Sequence, residues 1–227
     1  NGAGTAVGRS DKCWGTDNYG YRAVRWDASG TAATELGNLG DDSTGYSHSA
    51  AYAVNGGGSA VGWAEKYSGG TYRGYRAVRW DASGTAATEL GNLGEDVSSW
   101  AYAINDVDVV VGVARNPYGG GTCALCWGLD GVAIDLNTLL SPADAAMWTL
   151  IGAYGISDTN WVTGIGTFDP DGPGRLDAYD RMFLLQLPDA SCLSDFNHDG
   201  FVNGDDYDLF ASLFDVADPG ADFNSDG

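Results

Sequence analysis

Apolar positions along this chain fall in short runs of four to seven residues, each bounded by clusters of Gly, Asn, Asp or Ser. That pattern predicts short strands joined by tight turns. Four such runs recur in a fixed order. A small, glycine-containing run is centred on Gly8, Gly62, Gly112 and Gly164, at spacings of 54, 50 and 52 residues. A second reads RAVRW at 22–26 and 76–80, then CALCW at 123–127 and RMFLL at 181–185. A third reads TELGNLG at 34–40 and 88–94 and weakens to IDLNTLL at 134–140. The fourth reads AYAVN at 51–55, AYAIN at 101–105 and AYGIS at 153–157. Residues 20–40 and 74–94 are identical at all 21 positions. A period of this size marks a repeat architecture. Four strands in roughly 50 residues form the unit of a β-propeller blade, whereas a β-solenoid usually shows a shorter period. One departure from strand is expected at Ser141, an N-cap with Pro142 at the first helical position of one or two turns.

The same ruler counts strands. Residues 1–4 (NGAG) match the turn at 55–58 (NGGG), and nothing resembling TELGNLG follows RMFLL. The cycle is therefore expected to be short by one strand at each end, with fourteen strands where four complete units would have sixteen. Either closure is incomplete, or further repeats lie upstream, or another chain supplies the strands. An unpaired strand edge is a template for a neighbour. Head-to-tail pairing that does not close generates a filament.

Composition narrows the function classes. Thirty-five Gly, eight Trp and twelve Tyr suit strands and turns. A net charge of −20 argues against nucleic acid and anionic membranes and favours cations. No apolar run approaches the ~18 residues of a membrane helix. The first residues carry neither a start Met nor a signal segment, which suggests a processed chain or a fragment. Cys13, Cys123, Cys126 and Cys192 could form two disulfides or remain buried thiols. On a strand Cys123 and Cys126 point to opposite faces, which speaks against their pairing with each other.

The cycle AYAIN…VVGVA…RAVRW…ATELGNLG resembles the extracellular HAF-type repeat, from Asn1 to about Pro188. The chain departs from it where Arg-Ala-Val, Cys-Ala-Leu and Arg-Met-Phe stand for His-Ala-Phe, a change that keeps the small–apolar spacing. The resemblance implies a secreted or surface repeat protein without a settled activity.

Beyond Pro188 the composition changes: from Ser194 onward there are nine Asp and no Lys or Arg. Asp195, Asn197, Asp199, Asn203 and Asp206 place oxygen at positions 1, 3, 5, 9 and 12 of a Ca²⁺ loop, Phe201 offers a carbonyl at position 7, and Gly200 stands at position 6. Residues 207–214 read as an amphipathic helix with Tyr207, Phe210, Leu213 and Phe214 on one face. A second loop starts with Asp222, Asn224 and Asp226, its later positions lying beyond Gly227. The tandem resembles a dockerin-type domain, which implies bound Ca²⁺ and a cohesin-like partner. The bland alternative is a solvated acidic tail.

Familiar catalytic chemistry is sparse. His48 sits in a Ser-rich loop, His198 at a non-ligand loop position, and no GxSxG, P-loop, HExxH or dinucleotide fingerprint occurs. Paired acids abound, but Asp27 and Asp81, or Glu35 and Glu89, recur in each copy, and a repeated acid suits a turn better than a unique reaction. Trp26 and Trp80 are expected between sheets. Trp14, Trp63, Trp100 and Trp161 are candidates for sugar stacking. Arg22, Arg25, Arg76 and Arg79 are expected to pair with turn Asp residues rather than bind an anion. No Asn-x-Ser/Thr sequon occurs.

The sequence thus predicts an all-β body at 1–189, of about four antiparallel units and propeller-like, followed by a small helical EF-hand-like segment at 190–227. The expected function is that of a non-enzymatic, extracellular structural or adhesive protein that self-associates into a filament or docks on a surface partner. The alternative is a tethered carbohydrate-binding module; a secreted enzyme ranks last.

Overall fold

The computed structural model describes residues 1–31, 33–95, 97–116, 121–171, 177–188, 208 and 211–212. The chain divides into Asn1–Gln186 and Leu187–Gly227, and the fold below is that of the first unit. It consists of four antiparallel sheets in sequence order. The first holds β1 (Ala6–Trp14), β2 (Asp17–Trp26) and β3 (Ala33–Glu35). The second holds β4 (Ser49–Val54), β5 (Ala60–Ser68), β6 (Thr71–Trp80) and β7 (Ala87–Glu89). The third holds β8 (Ser98–Ile104), β9 (Val110–Asn116), β10 (Gly121–Trp127) and β11 (Ala133–Asp135). The fourth holds β12 (Trp148–Ile156), β13 (Trp161–Phe168) and β14 (Tyr179–Gln186). Among the described residues of this unit, helix is confined to a 3-10 turn at Leu136–Leu139 and to α1 (Pro142–Ala145). Ser141 caps α1, its side chain accepting from the Asp144 amide.

Registers align the four units. Gly8 faces Val24, Gly62 faces Val78, Gly112 faces Leu125 and Gly164 faces Phe183. The fourteen described strands fall in the runs the repeats predict, and among the described residues β1 pairs only with β2 and β14 only with β13. The third run is shorter than its seven conserved letters suggest. Only its first two residues lie in β3, β7 and β11, because Leu36, Leu90 and Leu136 then turn into the core, each almost fully buried.

Each sheet packs on the next. Ala23, Leu36, Ala51, Ala60, Val78 and Trp80 fill the layer between sheets one and two. Val61, Leu90, Ala101, Val110, Leu125 and Trp127 fill the layer between sheets two and three. The indoles lock neighbours together as well as filling space: Trp80 Nε1 donates to the Gly37 carbonyl at 2.9 Å, and Trp127 Nε1 to the Gly91 carbonyl at 2.8 Å. In return the Gly37 amide donates to Thr85 and the Gly91 amide to Gly131, at 2.6 and 2.7 Å. No helix among the described residues is long and apolar enough to cross a membrane.

Candidate functional site

The two identical copies act as internal controls, since they differ only in what surrounds them. In the first, Arg22 is buried and spends its guanidinium on the loop after β3. Its Nη1 donates to the carbonyls of Tyr19 and Ser47, and its Nη2 to Gly45 O and the Asp41 carboxylate, both at 3.1 Å. Glu35 stands between Arg22 Nε at 3.7 Å and Lys12 Nζ at 2.8 Å. The second copy repeats this triad: Glu89 lies 3.3 Å from Arg76 Nε and 2.7 Å from Lys66 Nζ. The loop differs. Ten residues separate Gly40 from Ala51, but only six separate Gly94 from Ala101.

The shorter loop leaves a space. Arg76 donates to Glu95 O at 2.6 Å and Tyr75 O at 2.9 Å, and beyond those bonds it faces a cavity of about 930 Å³. Lys66, Tyr72, Arg73, Glu89 and Glu95 line it with Arg76. Among the described residues Arg76 pairs with Glu89, whereas Arg22 reaches the turn residue Asp41. Arg25 uses carbonyls instead. Its guanidinium crosses to sheet two and caps the 81–84 turn, donating to the carbonyls of Asp81 at 2.9 Å and Ala82 at 2.8 Å. Arg79 has no equal target, because the matching turn after Trp127 is one residue shorter. Its Nε and Nη1 are buried without a hydrogen-bond partner among the described residues, and Asp81 lies 3.8 Å away.

The loop that fills the first site is itself fastened. His48 N donates to the Glu65 carboxylate at 2.9 Å, His48 Nδ1 lies 3.1 Å from it, and Glu65 N donates back to His48 O at 2.8 Å. Tyr46 Oη meets His48 Nε2 at 3.0 Å. A hydroxyl, an imidazole and a carboxylate stand in series here. What they do in this geometry is clamp the loop to β5. Asp27 and Asp81 occupy turns, as their repetition suggests, and Asp27 accepts from the Ser29 amide at 2.9 Å.

Aromatic side chains form a row across sheets. Tyr52 stacks on Tyr102 at 5.5 Å, and the Tyr154 ring meets Tyr102 at 5.2 Å, tilted by 52°. Tyr52 and Tyr154 are half exposed, and burial beside its two neighbours pushes the Tyr102 phenol pKa up. Among the sugar-stacking candidates, Trp14 and Trp161 are exposed, Trp100 is partly buried, and Trp63 is buried with Nε1 donating to Tyr52 Oη at 2.8 Å. Of the repeated pair, Trp80 is fully buried and Trp26 half buried. The tyrosines were not singled out by sequence, although their recurrence in AYAVN, AYAIN and AYGIS is the signal that marks them.

At the outer edge of β1 one glycine lacks its usual neighbour. A Cβ at Gly62, Gly112 or Gly164 would collide with the carbonyl of Ala50, Trp100 or Gly152 on the strand alongside. At Gly8 a Cβ would meet only the Trp26 ring, at 3.4 Å.

The family described as a protein of unknown function (DUF3466) matches residues 1–122, more than half of the chain. The chain belongs to that family. The DUF3466 match begins before β1 and ends within β10, so it takes in the Gly8 edge, both arginine sites and the cavity. No curated protein and no solved structure matches the chain.

The sequence-predicted calcium ligands of this DUF3466 member, Asp195, Asn197, Asp199, Phe201, Asn203, Asp206, Asp222, Asn224 and Asp226, lie outside the described residues, as does Cys192. Among the described residues no cluster of three or more His, Cys, Asp or Glu side chains could hold a metal. The proposed donor set is all oxygen, which suits a hard cation. Cys13, Cys123 and Cys126 are free thiols. Burial pushes the Cys123 pKa up to about 11 and that of Cys126 to about 12, leaving neither reactive near neutral pH.

Proposed function

We propose that this chain is a non-enzymatic, secreted or cell-surface structural or adhesive protein. Its propeller-like, HAF-type body associates with further copies head-to-tail through the outer edges of β1 and β14, and its dockerin-like C-terminal segment binds Ca²⁺ and a surface partner. The observation that carries this reading is Gly8. Glycine at this register makes room for the carbonyl of an adjoining strand in three units, and in the first unit the room is kept while no described strand fills it. Among the described residues β1 is bonded only to β2, and β14 only to β13. Open edges of this kind accept a strand from a neighbour. Because β1 and β14 are different surfaces, their pairing is heterologous and propagates unless rotation closes it.

Electron microscopy and sedimentation of the full chain with Ca²⁺ test the proposal. Concentration-dependent oligomers or filaments are expected, and strictly single particles at every concentration would sink it. A second reading, a carbohydrate-binding module, is favoured by the half-exposed row of Tyr52, Tyr102 and Tyr154. Sugar arrays distinguish it. Saturable binding that quenches the emission of Trp63, bonded to Tyr52, would support that reading, and silence across the array would remove it.

A further inference from the structure

From the comparison of the two identical repeats we infer that the cavity beside Arg76 is a binding site for a short, carboxylate-bearing peptide segment. The first repeat displays such an occupant within its own chain. Residues 41–47 lie against Arg22 and deliver one carboxylate oxygen from Asp41 and main-chain carbonyls from Gly45 and Ser47 to its two Nη atoms. The second repeat keeps the receptor half: an identical block at 74–94, a buried arginine, and the supporting Lys66–Glu89 pair. Its loop is four residues shorter and, among the described residues, returns one main-chain carbonyl, that of Glu95, to Arg76 Nη2, with a cavity of about 930 Å³ beside the arginine.

A second difference points the same way. Immediately before the identical block, the first repeat has Tyr19 and the second has Arg73. The Tyr19 ring packs on the inserted loop, 3.6 Å from where a Cβ on Gly45 would lie. Arg73 lines the cavity and is exposed, with no ion pair among the described residues. A ring that packs on a built-in loop has thus been replaced by a cation facing an open one.

Charge agrees with this assignment. Among the described residues the lining carries Lys66, Arg73 and Arg76 against Glu89 and Glu95, a local excess of cations in a chain of net −20. Glu89 does not bar an acidic guest, since Glu35 lies beside Arg22 in the first repeat and Asp41 is held there all the same. Guanidinium groups bind planar carboxylates with paired, charge-assisted hydrogen bonds. The combination of carboxylate and main-chain carbonyls fits a peptide better than an isolated anion. The site lies between β6 and the loop after β7, away from the edges of β1 and β14, and stands independently of self-association.

The test titrates the isotope-labelled full chain with a synthetic peptide DDSTGYS, the sequence of residues 41–47, followed by amide chemical shifts. Saturable shifts at Gly74 and Gly94 are expected. Arg73→Ala, which removes an exposed side chain, is expected to weaken binding about five- to tenfold, and Asp→Asn in the peptide to do the same. Replacing residues 95–97 by residues 41–47, together with Arg73→Tyr, is expected to abolish binding by filling the cavity. Absence of saturable shifts overturns the inference, as does binding that Arg73→Ala leaves unchanged. Saturation of the same amides by inorganic phosphate with no response to the peptide overturns it too.

Discussion

Asn55 Nδ2 donates to the carbonyl of Asn105 at 3.0 Å, and fifty residues on the pattern repeats, with Asn105 Nδ2 donating to Ser157 O at 3.0 Å. Asn1 begins the series, its Nδ2 reaching Asn55 O at 2.7 Å. Each carboxamide has a second role: the Oδ1 of Asn1, Asn55 and Asn105 accepts the amide four residues on, at 2.9 Å in every case. The AYAxN asparagine therefore shapes its own turn and ties it to the next sheet. Ser157 ends the series, since its hydroxyl accepts from the Trp161 amide at 3.0 Å but carries no amide to pass on.

Asn105 is almost fully buried, so its replacement isolates these two roles. Asn105→Ala is expected to destabilise the body by about 2–3 kcal/mol, because it leaves buried backbone groups unsatisfied. Asn105→Ser, the residue found in the fourth repeat, keeps a turn acceptor and is expected to cost about 1–2 kcal/mol. Chemical denaturation measures both. Equal losses would mean that the turn bond, which serine retains, contributes nothing.

Trp80 and Trp127 permit a comparable separation of packing from hydrogen bonding. Trp→Phe at either removes the bond to Gly37 O or Gly91 O and some buried ring, with an expected loss of about 2–3 kcal/mol. Trp26 Nε1 has no hydrogen bond among the described residues, so Trp26→Phe is expected to cost under about 1 kcal/mol. A Trp26→Phe melting shift as large as that of Trp80→Phe would contradict this assignment.

The thiols of half-buried Cys123 and buried Cys126 give a pH dependence whose sign is fixed. Both folded-state pKa values lie above the ordinary 9.0 of a thiol, at about 11 for Cys123 and about 12 for Cys126. The folded chain holds these protons while the unfolded chain loses them, so their contribution is full below pH 9 and falls as pH rises from 9 toward 12. Site-resolved alkylation near pH 8 should modify exposed Cys13 well before Cys123 and Cys126. Early labelling of Cys126 in the folded chain would count against its burial.

The strands were legible because each repeat writes the same apolar run at the same spacing, and Gly8, Gly62, Gly112 and Gly164 align them even where identity has decayed. Ser141 and Pro142 announced α1 by capping chemistry that is local. The short pairing of β3, β7 and β11 was not legible, since Leu36 and its equivalents are drawn into an inter-sheet core whose depth no local pattern reveals. The cavity was hidden for a related reason. Arg22 and Arg76 sit in identical sequence, and their different fates depend on a loop four residues longer in one repeat and on Tyr19 against Arg73. Aligning the copies outside their identical block would have exposed both differences.

Calcium removal tests the C-terminal assignment. If Asp195, Asn197, Asp199, Phe201, Asn203 and Asp206 hold Ca²⁺, titration with EGTA should sensitise the chain beyond Pro188 to protease while leaving the sheets intact. Unchanged cleavage would remove the structural role of the metal.

If the outer edge of β1 receives a strand from a neighbouring copy, a single substitution at Gly8 should block it. Gly62→Ala and Gly112→Ala set a Cβ against the carbonyls of Ala50 and Trp100 within the same fold and should destabilise it, whereas Gly8 has no such neighbour. The decisive measurement is sedimentation of the Gly8→Ala chain beside the native chain, with Ca²⁺ present and melting temperatures recorded. The native chain is expected to associate with rising concentration, while Gly8→Ala melts at nearly the same temperature but remains a single particle. Equal association of the two chains, or none in either, would contradict it.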